Sequence, residues 1–408
     1  MAKILISLLG TGQIEKNNTN KNEYKGTDYI IEKTLYSDEK FVSSPLIKHF
    51  KIDKLFLIGT DQSMWDMVAE SFKAEENYQF DIIEKKDNNT LREDSLVKLN
   101  AIIDKALKNS GSKCFIVKDG ENQEELWSIF EKFLEILDSI DEDDEVYFDI
   151  THLFRSLSVM SFVMSEFGKT YKNFKIAGVF YGMLKKGEPS VIVDLSVFFE
   201  LLEWAKAIEE LENFASLNRL VKLSKSTLDK NGYQSLKSLN AAFNIANMTA
   251  IYKAIQSLSK QLSHFDQSEN KIINLISPRL KQFVNRFYTK KQSDFQYKLA
   301  SFFAEKNFYS LAYIALAEAI VTDICERLNK DINSKNDRDN IKSIINEGFD
   351  ASYGSLEYKF AVIFTKQINK IRNDIAHQRE TTKNPQDDIE NFLKYFQESK
   401  KYIKDIYI

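Results

Sequence analysis

Two rhythms of apolar residues divide the chain. Up to about residue 200, short unbroken apolar runs alternate with segments whose apolar residues recur every three or four positions. The runs Lys3–Leu9 (KILISLL), Lys54–Gly59 (KLFLIG), 113–118 (KCFIVK), 145–150 (EVYFDI), 174–180 (FKIAGVF) and Ser190–Asp194 (SVIVD) predict strands. Continuous hydrophobicity is what a strand needs when both its faces are covered. Segments 61–72, 91–107, 123–137 and 153–167 carry helical spacing instead. This alternation predicts a Rossmann-like α/β domain over residues 1–200, with a mostly parallel sheet and helices on both faces. Residues 29–35, with 191–194, read as hairpin strands added at one edge.

Beyond residue 195 the strand signal stops. Segments 201–214, 233–244, 250–261, 271–288, 295–307, 310–328 and 358–375 predict helices, so an all-α region follows the α/β domain. Residues 201–292 read as a helical connector or insertion without an assignable motif, and 293–408 as a separate helical domain. The polar stretch 329–340 (NKDINSKNDRDN) is expected to be a loop or mobile insertion. The acidic run 141–145 (DEDDE) reads as a solvated turn before a strand.

Composition narrows the class. Hydrophobic residues make up 43% and charged residues 28%, as in ordinary soluble proteins. No apolar run reaches the ~20 residues that span a bilayer, and MAKILISLLG reads as a buried strand rather than a signal peptide. A cytoplasmic protein without a membrane partner is expected. Cys114 and Cys325 stand far apart and form no metal-ligand spacing, so neither a disulfide nor a metal is expected. The net charge of −4 argues against stable binding of duplex DNA, which rewards many Lys and Arg. A brief grip on RNA through a local basic patch remains compatible with it.

Candidate chemistry falls in two places. Ligands of open α/β sheets bind outside the carboxyl ends of the strands. Those ends carry Gly10-Thr11-Gly12, then Gly59-Thr60 with Ser63 and Trp65, then Asp119-Gly120. Further on come Thr151, His152, Arg155 and Ser156 within 149–156 (DITHLFRS), and Tyr181-Gly182. Glycine lets backbone N–H groups approach a ligand, and hydroxyl, imidazole and guanidinium groups add donors for anionic oxygens. Together they favour a phosphate-bearing small molecule. Each has a plainer reading: a glycine turn is usually only a turn, His152 would cap a helix, and Trp65 would be core.

The second place is 372–377 (RNDIAH), on a predicted helix. RNA supplies its own nucleophile, the 2′-hydroxyl, so cutting it needs proton transfer and stabilisation of the phosphorane, and no metal. Histidine suits the first task and arginine the second. The chain has four histidines, His49, His152, His264 and His377, so few can serve. On a regular helix Asn373 and His377 share a face while Arg372 lies about 140° from His377. Arg372 must then reach round, or a second copy of the helix completes the site. Lys366, Lys370 and Arg379 form a small basic patch beside it. The bland alternative is a solvated helix whose Arg and His do no chemistry.

With both clusters in view, the chain resembles the CRISPR-associated CARF–HEPN ribonucleases of type III systems over nearly its whole length. The resemblance rests on Gly10-Thr11-Gly12, 59–65 (GTDQSMW), Asp119-Gly120, 149–156 (DITHLFRS), 181–183 (YGM), and Arg372-Asn373 followed by His377. It implies a CARF domain at 1–200 and a HEPN domain at 293–408, in a homodimer or higher oligomer. The CARF pocket would bind a cyclic oligoadenylate, expected to be cyclic tetra-adenylate, through Gly10, Thr11, Gly12, Gly59, Thr60, Ser63, Trp65, Asp119, Gly120, Thr151, His152, Arg155, Ser156, Tyr181 and Gly182. Binding would switch on a composite site of Arg372, Asn373 and His377 that cuts single-stranded RNA without a metal or cofactor, leaving 2′,3′-cyclic phosphate ends. Some members also cut their activator in the CARF pocket; Thr11, Thr60, Ser63, Thr151 and His152 would be the candidates here.

Two other readings compete. A ligand-controlled transcription regulator would place a helix-turn-helix in 217–261, but no Arg/Lys-rich recognition helix is visible there. A catalytically silent HEPN scaffold would not need both Arg372 and His377.

Overall fold

A computed structural model describes residues 1–12, 14–15, 23–152, 155–172, 174–183, 185, 188–266, 268–377, 379 and 384–406, with the backbone alone for 14, 15, 23 and 155–157. The chain forms two compact units, Met1–Glu200 and Leu201–Ile408.

Apolar runs become strands in the first unit. They are β1 (Lys3–Leu9), β2 (Ile14–Glu15), β3 (Glu23–Tyr24), β4 (Thr27–Ile31), β5 (Thr34–Glu39), β6 (Lys54–Gly59), β7 (Lys113–Ile116), β8 (Glu145–Asp149), β9 (Lys175–Met183) and β10 (Ser190–Asp194). Eight of them make one sheet, ordered β5-β4-β10-β9-β8-β1-β6-β7. Strands β9, β8, β1, β6 and β7 run parallel. β10 turns antiparallel to β9, and the β4–β5 hairpin extends that edge. Strand side chains alternate between faces, and in β1 both sets are apolar. Leu5 and Leu9 join Leu55, Leu57 and Cys114 on one face, while Ile4, Ile6 and Leu8 join Phe56, Phe115 and Phe148 on the other. A strand buried on both faces cannot alternate apolar with polar, which is why KILISLL reads as a solid run.

From β1 the chain steps outward to β6 and β7, then returns to β8 on the other side of β1 and steps on to β9. The direction of winding therefore switches between β1 and β8. A crevice opens at their carboxyl ends, and this is where an open α/β sheet binds its ligand.

Among the described residues the second unit holds only helices. One core runs from Trp204 to Ile403 through both parts of this unit. The helix Tyr309–Arg327 sits at its centre, since Ala312, Ala315, Leu316, Ala319, Ile320 and Ile324 are all buried. Two sequence expectations are corrected here. Part of the polar stretch 329–340 belongs to a helix, Lys335–Glu347, because Ser334 caps it by accepting from Asp337 N and Ile341 and Ile345 are buried. Sparse apolar residues hid this helix. The segment expected as one helix over 358–375 is α-helical over Leu356–Ala361, π-helical over Val362–Ile368, and α-helical again over Asn369–Ala376.

Candidate functional site

The crevice between β1 and β8 is built on a buried polar chain. The strand register sets Ser7 opposite Asp149. Ser7 Oγ donates to Asp149 Oδ2 at 2.6 Å and lies 2.6 Å from Ser43 Oγ, so the Ser43 hydroxyl is the donor of that second pair. Thr151 donates to Asp149 Oδ1 through its hydroxyl (2.5 Å) and its backbone N–H (3.0 Å). Thr151 Oγ1 then accepts from Gly182 N at 2.7 Å, tying the end of β8 to β9. Burial pushes the Asp149 carboxyl above its usual range, opposed by the charge of His152 and by the donors from Ser7 and Thr151. The charge of Asp149 is also felt by Tyr29, whose phenol is pushed up to about 12 by burial, then by Asp149 and Glu39.

His152 stands at the end of this chain. It packs over Gly10, where an added Cβ would come within 3.2 Å of the His152 Cβ. Burial lowers its pKa while Asp149 raises it, the burial being larger. Its Nε2 is buried with no hydrogen-bond partner among the described residues. An orphaned buried nitrogen costs about 1–3 kcal/mol. Beside it, Thr11 and Gly12 are exposed. Gly12 adopts φ +74° with the Tyr24 ring and Met64 Sδ where a Cβ would sit, so only glycine fits. The Tyr24 ring beneath it is fixed by Asp66, itself paired with buried Lys86 at 2.7 Å.

Several expected contacts serve the fold instead. Ser63 is fully buried; its Oγ donates to Leu9 O at 2.6 Å and accepts from Thr60 N at 2.9 Å. Trp65 is fully enclosed and its indole N–H donates to Thr60 O, so it has no face on which a base can stack. Gly59 is required because a Cβ there would meet Ser63 and Trp65 at 2.8 Å. These residues staple the ends of β1 and β6 together. Gly120 follows β7 at the far edge of the sheet, and its N–H is taken by Glu125, while Asp119 is exposed there. Both lie two strands from β1, outside the β1/β8 crevice. Tyr181 is 42% exposed on β9. The side chains of Arg155 and Ser156 lie outside the described residues. Ser7 and Ser43 were not singled out in the sequence, although a lone serine inside the apolar run KILISLL is a readable signal; Asp149 stood there only as the first residue of 149–156 (DITHLFRS), not as a site residue.

In the second unit, the helix Asn369–Ala376 presents Arg372 and ends at His377, whose backbone N–H closes it on Asn373 O. Ile371 and Asp374 face inward, Arg372 and Asn373 are half-buried, and His377 is exposed. Arg372 Nη1 donates to Asn373 Oδ1 at 2.9 Å, and Nη2 lies 3.5 Å from Glu318 Oε1. Glu318 was not foreseen, because it stands 54 positions earlier, on the central helix Tyr309–Arg327. In the expected basic patch, Lys370 pairs with Asp374 and Lys366 sits over the Phe349 ring. Among the described residues no group of three or more His, Cys, Asp or Glu is arranged to hold a metal ion. No described helix is long and apolar enough to cross a membrane.

Both units are similar in sequence to known proteins. Residues 4–184 match the family of the CARF domain of the CRISPR system endoribonuclease Csx1, and 200–293 match the second domain of the CRISPR-associated protein MJ1674. The MJ1674 protein of Methanocaldococcus jannaschii is 31% identical over 419 aligned positions, covering 96% of this chain. The chain spans 65% of that relative's length. Among solved structures, Enterococcus italicus Csm6 bound to cyclic hexa-2'-fluoro-hexa-dAMP aligns with 100% of this chain and 94% of its own, at 11% identity and a TM-score of 0.47. That score is too low for the likeness to bear on fold or ligand. The two family matches follow one another along the sequence and both lead to CRISPR-associated proteins; the chain is a CRISPR-associated CARF-domain protein.

Proposed function

We propose that this CRISPR-associated CARF protein is a cyclic oligoadenylate-activated endoribonuclease, acting as a homodimer on single-stranded RNA without a metal. The observation that carries the reading is the end of the helix Asn369–Ala376. There a half-buried arginine and an exposed histidine stand five positions apart, in a chain whose other unit is a CARF domain. His377 is the proton-transfer group and Arg372 stabilises the charge that develops on the phosphorane. The RNA 2′-hydroxyl is the nucleophile, which gives a 2′,3′-cyclic phosphate end. Asn373 holds one edge of the Arg372 guanidinium. Two copies of the helix, one from each protomer, make the composite site.

The activator belongs at the ends of β1 and β8. The orphaned Nε2 of His152 and the exposed turn at Thr11 and Gly12 suit the phosphates of such a ring. Arg155 is assigned to the same ligand, and His152 with Thr151 would act if the activator is degraded there. The test is RNA cleavage in EDTA, with cyclic tri-, tetra- and hexa-adenylate added in turn. Cleavage that depends on one ring and persists in EDTA is expected. A strict need for Mg²⁺ or Mn²⁺, or cleavage indifferent to every ring, overturns the reading.

A further inference from the structure

Arg372 is the end of a longer ionic chain, and the rest of that chain has no role in the reading above. Arg338, on the helix Lys335–Glu347, donates through Nη1 to Thr322 Oγ1 and Ile332 O, both at 3.1 Å. Its Nη2 donates to Glu318 Oε2 at 2.5 Å. The other oxygen of Glu318, Oε1, lies 3.5 Å from Arg372 Nη2. Exposure rises along the chain, with the Arg338 side chain at 18%, Glu318 at 33% and Arg372 at 35%. The anchored end is inside and the end that can meet a phosphate is outside.

Two features distinguish this chain from an incidental ion pair. First, one carboxylate is shared by two guanidinium groups, so the trio keeps a net charge of +1. A single Glu–Arg pair would cancel the charge that Arg372 needs for a phosphate; the shared one does not. Second, Arg338 spends both its terminal nitrogens on the fold, while Arg372 has one committed to Asn373 and the other at the long distance of 3.5 Å. A guanidinium is a planar fork, so fixing one edge fixes the direction in which its remaining N–H groups point. An unpositioned arginine of four flexible bonds would have to be ordered at each turnover.

We propose that Glu318, held by Arg338, is a positioning residue that aims the Arg372 guanidinium at the scissile phosphate. This rests on Arg372 being part of the nuclease site. Glu318 touches no substrate, and its effect passes through Arg372. Its removal lowers the rate of the chemical step and leaves RNA binding nearly unchanged, since a small misplacement of a transition-state group costs up to about 100-fold.

The experiment measures cleavage of a fluorescent single-stranded RNA by the full-length protein, activated by whichever cyclic oligoadenylate supports the parent. Four proteins are compared: the parent, Glu318→Gln, Arg372→Ala and the double variant. Expected for Glu318→Gln is a kcat lower by roughly 10- to 100-fold with KM within about threefold. In the Arg372→Ala background the same change should cost nothing further, because the group it aims is gone. Glu318→Asp keeps the charge and should recover part of the rate; it replaces Glu318→Gln if that variant melts early. Parent kcat in Glu318→Gln, or losses that multiply in the double variant, overturns the positioning role while the nuclease site stands. Full activity in Arg372→Ala removes the nuclease assignment itself, and the positioning role with it.

Discussion

The strand-end crevice and the Arg372 helix use their polar groups in opposite ways. In the crevice, Ser7, Ser43, Asp149, Thr151 and the N–H of Gly182 are spent on one another, and Ser63 and Trp65 are spent on the backbone at the ends of β1 and β6. Among the described residues, what is left unspent there is the Nε2 of His152. At the Arg372 helix the reverse holds, with His377 exposed and Arg372 held on two sides but facing solvent. A buried polar side chain must find a partner, so its presence at a strand end says little about a ligand. Satisfaction, rather than polarity, separates the residues that shape a site from those that meet a substrate.

The largest test of this contrast is chemical. His377→Ala is expected to lower RNA cleavage by roughly 10²–10⁴-fold and Arg372→Ala by a comparable factor, with melting temperature unchanged. Parent activity in both variants would place the chemistry elsewhere. Asp149→Ala probes the opposite kind of residue. It strands the hydroxyls of Ser7 and Thr151 and the N–H of Thr151, at a cost of roughly 2–4 kcal/mol, read as an earlier melt of the first unit. An unshifted melt would show that the crevice is not held by this chain.

Arg155→Ala tests a ligand contact. Loss of a charge-assisted bond to a phosphate, worth about 1.5–3 kcal/mol, should weaken activator binding some ten- to hundredfold. Titration calorimetry is the measurement, and RNA cleavage should recover at high activator concentration. A variant that melts early, or binds as the parent does, takes Arg155 out of the pocket.

The smallest effect concerns protonation. His152 has its folded-state pKa lowered below 6.5, chiefly by burial. Its contribution to stability is therefore present above pH 6.5 and is lost as pH falls toward the folded pKa, because the unfolded chain takes up the proton first. The first unit of the parent should melt progressively earlier between pH 7 and pH 5.5. His152→Gln, which does not titrate, should flatten that slope, and an identical slope in both would contradict the burial.

Much of the architecture was legible because the cause is local. Two-sided burial makes KILISLL, KLFLIG and EVYFDI solid apolar runs, and these are the parallel strands β1, β6 and β8. The glycines at strand ends were legible for the same reason, and Gly12 does adopt the left-handed conformation. What the sequence hid is register. Nothing near position 7 announces that its neighbour across the sheet is Asp149, 142 positions away. For this reason Ser63 looked like a ligand contact, although its partners lie within the fold. Glu318 and Arg338 were hidden likewise, the second by a helix so polar that it read as a loop.

The π-helical stretch Val362–Ile368 holds slack just ahead of Arg372. A π turn holds one residue more than an α turn, so removing a single residue there would let the helix close up in the ordinary way. The segment downstream would keep nearly its present direction, because the lost residue and the tighter winding cancel. The same deletion made within Asn369–Ile371, where the helix is already α, would swing Arg372 and His377 round by about 100°. One surplus residue is thus a reserve of length: the chain can give it up at 362–368 and still point residues 372–377 the same way.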